Sequence, residues 1–368
     1  PQGEIWLLQD INGDGDALDV GEKTLWTDGF ASVVEMEFHD GNLYAIEEGM
    51  VDGANQAIRL TDVNGDGDAL DIGERAVWAA GFDDPRGIAV DAQGTWFVTE
   101  VEDDLVWSLV DRNGDGDALD EGERRLYADQ IDGATTVAIH SSGLLVTGTD
   151  QDQIIRLNDR NGDGDALDEG ESLVVTPIVD SPVGLLDDNQ GGSFCSSFSN
   201  DAVYHAVDRN CDGDMLDVVE TLSYADDVFG GLNGPWGMTA HAAGGMLLAD
   251  FIDGEILWIR DANGDGDALD QGDVRLFADG FTFPVDVVTL VECSPDVDGD
   301  GDVDGRDFLI LQRENPEKIL LWEANYGQLF PHAGAASPVP EPHGLALAAS
   351  FACLAMLIRT TGMETNEA

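Results

Sequence analysis

Six copies of one acidic segment carry most of the chemistry that this sequence offers. Each copy has the form Asp-x-Asn-x-Asp-Gly-Asp-x-Leu-Asp, where x varies between copies, and a further acid follows three residues later. Side-chain oxygens at positions 1, 3, 5, 10 and 13 and the carbonyl oxygen at position 7 can converge on one hard cation, and the glycine at position 6 permits the sharp turn. Because the ligands are many, all oxygen and on a flexible loop, the segment predicts a site for Ca²⁺ rather than Mg²⁺.

The predicted calcium ligands occupy the same positions in all six loops. They are Asp10, Asn12, Asp14, Asp16, Asp19 and Glu22; Asp62, Asn64, Asp66, Asp68, Asp71 and Glu74; Asp111, Asn113, Asp115, Asp117, Asp120 and Glu123; Asp159, Asn161, Asp163, Asp165, Asp168 and Glu171; Asp208, Asn210, Asp212, Asp214, Asp217 and Glu220; and Asp261, Asn263, Asp265, Asp267, Asp270 and Asp273. The front half matches an EF-hand loop, but the closing acid lies at position 13 rather than 12, so helices on either side are not expected. The fifth loop has Cys211 in place of a glycine, and the sixth closes with Asp rather than Glu. The alternative is a set of solvated polar hairpins without metal.

A seventh acidic segment follows Cys293 and has a different spacing. Its acids lie at positions 1, 3, 5, 9 and 12, and they are Asp296, Asp298, Asp300, Asp304 and Asp307. This segment, which leads into an apolar helical stretch, resembles one half of a type I dockerin, a family that uses two such calcium segments to bind cohesin. A helical run at 319–326 replaces the second segment, so the resemblance implies either a calcium-stapled spacer or a cohesin-binding module.

The charge of the chain is strongly one-sided. There are 75 Asp and Glu against 16 Lys and Arg, which gives a formal net charge of -59. Such a field repels nucleic acid and anionic membrane surfaces and attracts cations. Four cysteines are too few and too irregular for a disulfide framework or a zinc site.

The segments between the acidic loops indicate the elements that position them. The loops begin 48–53 residues apart, and each interval contains four short runs of β-branched and aromatic residues separated by Gly, Asp or Asn. Four antiparallel strands per repeat predict an all-β fold, a six-bladed β-propeller over residues 1–292, with each acidic loop joining the third strand to the fourth. One blade would combine both ends of this region, and its second strand is expected to precede Pro1.

The strand at 87–91, Gly-Ile-Ala-Val-Asp, and the aromatic strand at 96–100 resemble those of NHL and gluconolactonase-like six-bladed propellers. Enzymes of the latter kind hold a catalytic metal in the central channel. The resemblance therefore implies candidate channel ligands at the ends of second strands, namely Glu47, Glu100 and Asp250.

A second column of polar residues lies at the end of the first strands. It contains His39, Asp91, His140, Asp188 and His241. These side chains either surround one mouth of the channel, where histidines could bind a metal or transfer protons, or cap their own turns. The second interpretation is the simpler one.

The C-terminal part divides into a dockerin-like, EF-hand-like helical module at 293–330, a linker at 331–342 and a terminal segment at 343–368. The linker is rich in Ala, Pro and Gly. Val339-Pro-Glu-Pro342, an apolar run at 345–358 and Arg359 resemble the PEP-CTERM sorting signal of exported bacterial proteins, which implies a terminal hydrophobic helix. Together with the half-dockerin, this tail resembles that of planctomycete-type surface proteins.

Two functional hypotheses follow from these features. The first is an exported, envelope-associated calcium-binding propeller without catalytic activity, whose partners are calcium ions, the envelope sorting machinery and a protein or polysaccharide at the surface. The second is a calcium-dependent propeller hydrolase of the lactonase or phosphoesterase type. No catalytic residue is assigned, and nucleic acid is excluded as a partner by charge.

Overall fold

A computed structural model describes residues 3–49, 55–176, 179–217, 219–228 and 231–290, together with Arg306, Leu309 and the backbone of the strand Ala355–Thr360. The chain divides into two compact units, residues 1–290 with 354–368 and residues 291–353. The predicted dockerin-like module and the linker lie almost wholly outside the described residues. Within the described part, no helix has the length and apolar character needed to cross a bilayer.

Short β-strands make up nearly all of the regular structure. They are β1 Gly3–Leu8, β2 Lys23–Phe30, β3 Val33–His39, β4 Asn42–Glu47, β5 Gln56–Leu60, β6 Arg75–Ala80, β7 Pro85–Val90, β8 Trp96–Glu100, β9 Leu105–Leu109, β10 Arg124–Ala128, β11 Ala134–His140, β12 Gly143–Gly148, β13 Gln153–Leu157, β14 Ser172–Thr176, β15 Pro182–Asp187, β16 Gly192–Ser197, β17 Ala202–Val207, β18 Thr221–Ala225, β19 Pro235–Ala240, β20 Met246–Asp250, β21 Glu255–Ile259, β22 Val274–Ala278, β23 Pro284–Leu290 and β24 Ala355–Thr360. The other regular structure in the described part consists of a 3₁₀ turn, Thr149–Gln151, and the helical residues Arg306 and Leu309.

Five four-stranded antiparallel sheets are each built from consecutive strands. We call them blade A (β3–β6), blade B (β7–β10), blade C (β11–β14), blade D (β15–β18) and blade E (β19–β22). The prediction of an all-β propeller is confirmed, and each of five blades is formed by one continuous stretch of the chain. A sixth sheet, the composite sheet, has the order β2-β1-β24-β23 and draws on both ends of the chain.

The second strand of the composite sheet differs from the expectation. Ala355–Thr360 pairs antiparallel with both β1 and β23, and Ile358 lies opposite Trp6 on one side and Val287 on the other. The predicted terminal helix is therefore wrong for residues 355–358, and the strand expected to precede Pro1 comes from the other end of the chain. The physical reason is that β1 and β23 each offer an edge of backbone N–H and C=O groups, which an extended apolar segment can pair.

The hydrophobic core is divided among the junctions between neighbouring sheets. In the cluster between blades A and B, Tyr44, Trp78 and Trp96 pack with ring centroids 4.1–5.4 Å apart. Equivalent clusters join B to C, C to D, D to E, E to the composite sheet, and the composite sheet to A. Each sheet thus buries both faces against its neighbours, as ring closure requires.

The innermost strand of each sheet faces a central channel. β3, β7, β11, β15, β19 and β23 contact one another in that order and return to β3. Glycine permits the closest approach between them, since a Cβ at Gly184 would lie 2.3 Å from the carbonyl oxygen of Trp236 in the next strand.

The antiparallel strand order assigns the connections to two faces. Connections from first to second and from third to fourth strands share one face, which we call the acidic face because all six acidic loops lie there. Connections from second to third strands, and from each sheet to the next, lie on the opposite face.

Candidate metal loops and the central channel

All six acidic loops join a third strand to a fourth and share one internal geometry. The carboxylate of the first Asp accepts hydrogen bonds from the backbone N–H at position 4, at 2.6–2.7 Å, and at position 6, at 2.9–3.0 Å. In the third and sixth loops these bonds, above all those from Gly116 and Gly266, lower the pKa of Asp111 and Asp261. The loop backbone is therefore shaped around an ionised carboxylate.

The acid at position 13 closes each loop from within. Glu22 accepts the N–H groups of Ile11 and Asp19, each at 3.0 Å. The shorter Asp273 of the sixth loop still reaches both equivalents, at 3.2 and 3.1 Å. Exposure of these six acids is only 1–4%. Their buried charge is balanced by backbone N–H groups, so the closing acid sets the shape of the loop.

The Asn at position 3 lies between two carboxylates. In the third loop, Asn113 Nδ2 donates to Asp115 Oδ2 at 3.0 Å and to Asp120 Oδ2 at 2.6 Å. The other five loops repeat this arrangement. The amide thus supplies the positive partial charge that the acids at positions 5 and 10 need.

Two of the loops bring three carboxylates close together. One oxygen each of Asp62, Asp66 and Glu74 lies within 4.8 Å of the others, and Asp212, Asp214 and Glu220 do the same. The second of these groups belongs to the fifth loop, which departs from the sequence pattern. Its cysteine, residue 211, adopts a φ of 62°, in the region that glycine occupies in the other loops. The substitution therefore leaves the loop geometry intact.

Each acidic loop is also bonded to the sheet next to it. The backbone N–H at position 8 donates to a carbonyl of the neighbouring fourth strand at 2.7–2.9 Å. The six pairs are Ala17 to Phe277, Ala69 to Trp26, Ala118 to Trp78, Ala166 to Tyr127, Met215 to Val175 and Ala268 to Tyr224. The six position-8 side chains are buried in the clusters between sheets. Order in a loop is therefore transmitted directly to a junction between sheets.

The central channel contains four acids that the sequence analysis did not identify. They are Glu35 and Glu37 on β3, Asp187 on β15 and Asp286 on β23, and they line a space of about 260 Å³. Asp286 accepts the N–H of Met36 at 2.8 Å, and Glu35 is bonded to Thr136 Oγ1 at 3.2 Å. The first bond joins the neighbouring strands β23 and β3, and the second reaches from β3 past β7 to β11, which gives the acids a structural role in the ring.

Glu35 and Glu37 are surrounded by protein atoms, although both side chains also line the channel. Burial, followed by the nearby Asp286 carboxylate, raises the pKa of Glu37 to about 8. The same two causes raise the pKa of Glu35 well above its usual range. Burial in the channel therefore favours the protonated form of these two carboxyl groups, a perturbation found in functional pockets and also in structural networks.

An alignment of the first strands contains the signal that was missed. The position of Glu35 and Asp286 is occupied by Gly87, Gly184 and Gly237 in blades B, D and E. A side chain at this position points toward the next inner strand, where a glycine avoids a collision and an acid can accept a backbone N–H, as Asp286 does from Met36. The predicted channel ligands are bonded elsewhere and do not line the channel.

These three predicted channel ligands each fix a connection between strands. Glu47 accepts the N–H of Ala31 at 2.9 Å and pairs with Arg75 at 2.9 Å. The other two act in the same way, since Glu100 accepts the N–H of Asp83 and Asp250 that of Asn233.

The second column of polar residues caps turns on the acidic face. Asp91 accepts the N–H groups of Gln93 and Thr95, and Asp188 accepts those of Gln190 and Gly192. The histidines contact their own turns: His39 meets Asp40, His140 meets Ser142 and His241 accepts from Ala243. None of the five lines the described channel, so the simpler interpretation agrees with the structure.

No protein-family model and no curated protein matches this sequence. Solved structures do resemble the fold. A Trichoderma reesei enzyme of Carbohydrate-Active Enzymes Family AA12, in its calcium structure, has a TM-score of 0.52 at 14% identity, covering 71% of this chain and 88% of that chain. An auxiliary nutrient binding protein from Bacteroides ovatus has a TM-score of 0.50 at 11% identity, covering 78% and 71%. Regucalcin, a calcium-binding protein from Agrobacterium tumefaciens, has 0.47 at 12%, covering 70% and 78%. These likenesses show the fold alone.

The Asn at position 3 provides a test of the loop electrostatics. We expect Asn113→Asp to lower the melting temperature in chelator, because it replaces a donor between two carboxylates with a third negative charge. Millimolar calcium should restore stability, so the calcium-induced rise in melting temperature should exceed that of the unmodified protein. Gln93→Glu adds the same charge to an exposed turn and is the matched control. Equal behaviour of the two variants would contradict the role assigned to the amide.

The channel acids predict a pH dependence of stability. A Glu with a pKa of about 8 in the folded state and 4.5 in the unfolded state retains a proton that the unfolded chain releases. The free energy of unfolding should therefore fall as pH rises from 4.5 to 8, by up to about 1.4 kcal/mol per pH unit for one such group. Urea unfolding of Glu37→Gln across this range should give a shallower slope. Glu102→Gln, which removes an exposed carboxylate, should keep the original slope; a common slope in both variants would refute the assignment.

Proposed function

We propose that this protein is an exported, envelope-associated propeller that binds calcium in its acidic loops and acts as a binding or structural protein. The observation that carries the calcium assignment is the loop geometry, repeated six times, in which each loop is bonded to the neighbouring sheet. The carboxylate groups that converge in the second and fifth loops fit the all-oxygen ligand set of calcium. Export rests on the sequence features at 339–359 alone.

The ligand set follows from the loop contacts. The acids at positions 5 and 10 flank the position that the Asn amide nitrogen now occupies, and the acid at position 1 and the Asn oxygen complete the proposed ligand set. Calcium binding through the Asn oxygen requires the amide to turn so that Oδ1 faces the ion, which gives up the hydrogen bond that Oδ1 accepts from the N–H at position 5. Bound calcium would then neutralise the acids and hold the loop, while the closing acid continues to fix its ends.

We further propose that the composite sheet functions as a sixth blade. Hydrophobic clusters on both of its sides support this, because Ile5 and Phe30 pack toward blade A while Leu8 and Ala17 pack toward blade E. The junctions of the composite sheet with blades A and E also carry the same loop-to-strand hydrogen bond as the other junctions. The dockerin-like segment at 296–307 is proposed as a separate calcium-binding spacer on sequence spacing alone.

Calcium binding should stabilise the fold through mass action. At a free concentration one hundred times the dissociation constant, each site adds about 2.7 kcal/mol to the free energy of unfolding. We expect the melting temperature to rise strongly between chelator and millimolar calcium, and much less in magnesium.

The control for this experiment separates loop chemistry from a general effect of salt. Asp117→Asn and Asp120→Asn in the third loop should reduce the number of bound calcium ions by one, measured by titration calorimetry. Asp103→Asn, in an exposed turn outside the loops, should leave that number unchanged. A melting temperature indifferent to calcium would rule out the proposed function.

A hydrolase acting in the channel is the second candidate, and the raised pKa of Glu37 is the observation in its favour. A general acid that keeps its proton at neutral pH is useful for ester or phosphoester cleavage. If this candidate holds, hydrolysis of lactone and phosphoester substrates should be detectable and should be lost in Glu35→Gln or Glu37→Gln variants that remain folded. Activity that survives in both variants would exclude the channel acids.

A further inference from the structure

An aromatic cluster lies at the mouth of the channel on the face opposite the acidic loops. Trp236 contacts Phe198 and Phe251, with ring centroids 5.4 and 5.3 Å apart, and Phe251 stacks on Phe283 at 4.9 Å. All four side chains are only partly buried. Elsewhere in the described part, rings such as Trp78, Trp96 and Phe277 are buried between sheets, so this cluster is not needed to fill a core.

The cluster borders two cavities that open from the channel. They have volumes of about 290 and 280 Å³, and Trp236 lines both of them and the channel itself. Phe251 borders the first and Phe198 the second. A concave site with an apolar wall of this size is typical of small-ligand binding.

Hydrogen-bond donors and acceptors both face the same cavities. The Arg86 guanidinium lines both and is held by Glu48 at 3.1 Å and Asp84 at 3.5 Å. Thr135 also lines both cavities, and Asp150 lines the second. The Trp236 indole N–H has no hydrogen-bond acceptor among the described residues and is available to a ligand.

The charged groups at this mouth are one guanidinium and three carboxylates. Arg86 is paired with Glu48 and Asp84, Asp150 adds a third carboxylate, and burial raises the pKa of Glu35 at the floor of the first cavity well above its usual range. An anionic ligand would be repelled by a chain of net charge -59. An organic cation would have to approach the fixed guanidinium. The lining therefore favours a neutral ligand that has an apolar face and many hydroxyl groups at its edge.

We propose that this mouth binds a neutral hexose ring of an oligosaccharide, with the apolar face of the sugar stacked on Trp236. The sugar hydroxyls would donate to Glu48 and accept from Arg86 and from the indole N–H. Both halves of the site are required, because the aromatic wall provides contact area and the ion pair provides orientation. This inference rests on the proposed binding function and specifies its ligand class.

The test uses the full calcium-loaded chain and four neutral probes: cellohexaose, maltohexaose, laminarihexaose and mannohexaose. Titration calorimetry and tryptophan fluorescence should detect binding of at least one. Trp236→Ala should weaken that binding at least about tenfold, or about 1.4 kcal/mol. Trp258→Ala is the matched control, since this indole lies on the acidic face, where it contacts His241 at 4.7 Å, and its removal should leave affinity unchanged.

Several results would overturn the proposal. One is the absence of binding of every probe at about 10 mM, a concentration at which even a millimolar complex would be largely saturated. Another is equal sugar affinity in the two Trp variants. The third is Trp236-dependent binding of tetramethylammonium in place of the sugars. Because Trp236→Ala could disturb folding, Arg86→Lys gives a second test: it keeps the charge, removes the planar fork and should weaken binding several-fold.

The outcome is distinguishable from that of the calcium proposal. Sugar binding with a melting temperature indifferent to calcium would refute the calcium sites and keep this one. A calcium-dependent melting temperature without sugar binding would do the reverse.

Discussion

One backbone hydrogen bond, repeated at every junction, links the chemistry of the acidic loops to the architecture of the ring. It runs from the middle of each loop to the fourth strand of the neighbouring sheet, as from Ala118 to Trp78. The donor residue is buried, and it is Ala in five loops and Met in the fifth, so the loop centre is part of the core between sheets while most of its acids remain at the surface. A loop that loses its shape would therefore loosen a junction, and an ion that holds the loop would tighten it.

The acids of this protein lie in two environments that have opposite effects on their protonation. In the loops, backbone N–H groups bond to the first carboxylate and favour its ionised form, as the lowered pKa of Asp111 and Asp261 shows. In the channel, burial and mutual repulsion favour the protonated form, as the raised pKa of Glu37 shows. The loops are thus prepared for a cation, whereas burial in the channel favours the neutral form of Glu35 and Glu37. The same composition therefore supports metal binding at the rim and a neutral ligand at the mouth opposite.

Much of the fold could be predicted from the sequence because it repeats. The period, the strand composition and the position of the loops between third and fourth strands all follow from local signals. The second strand of the composite sheet could not be predicted, because pairing of Ala355–Thr360 with β1 depends on an unfilled edge rather than on the segment itself. Glu35 and Asp286 were missed because their importance depends on which side of a first strand faces the channel. The mouth aromatics come from separate connections, so no local motif unites them.

Hydrogen exchange at the six position-8 amides tests the central claim most directly. These are the N–H groups of Ala17, Ala69, Ala118, Ala166, Met215 and Ala268. The account predicts that calcium slows exchange at all six together, and by more than at inner-strand amides such as that of Met36, because loading the loops stabilises the junctions. Exchange at these six amides that is the same in chelator and in millimolar calcium would contradict it.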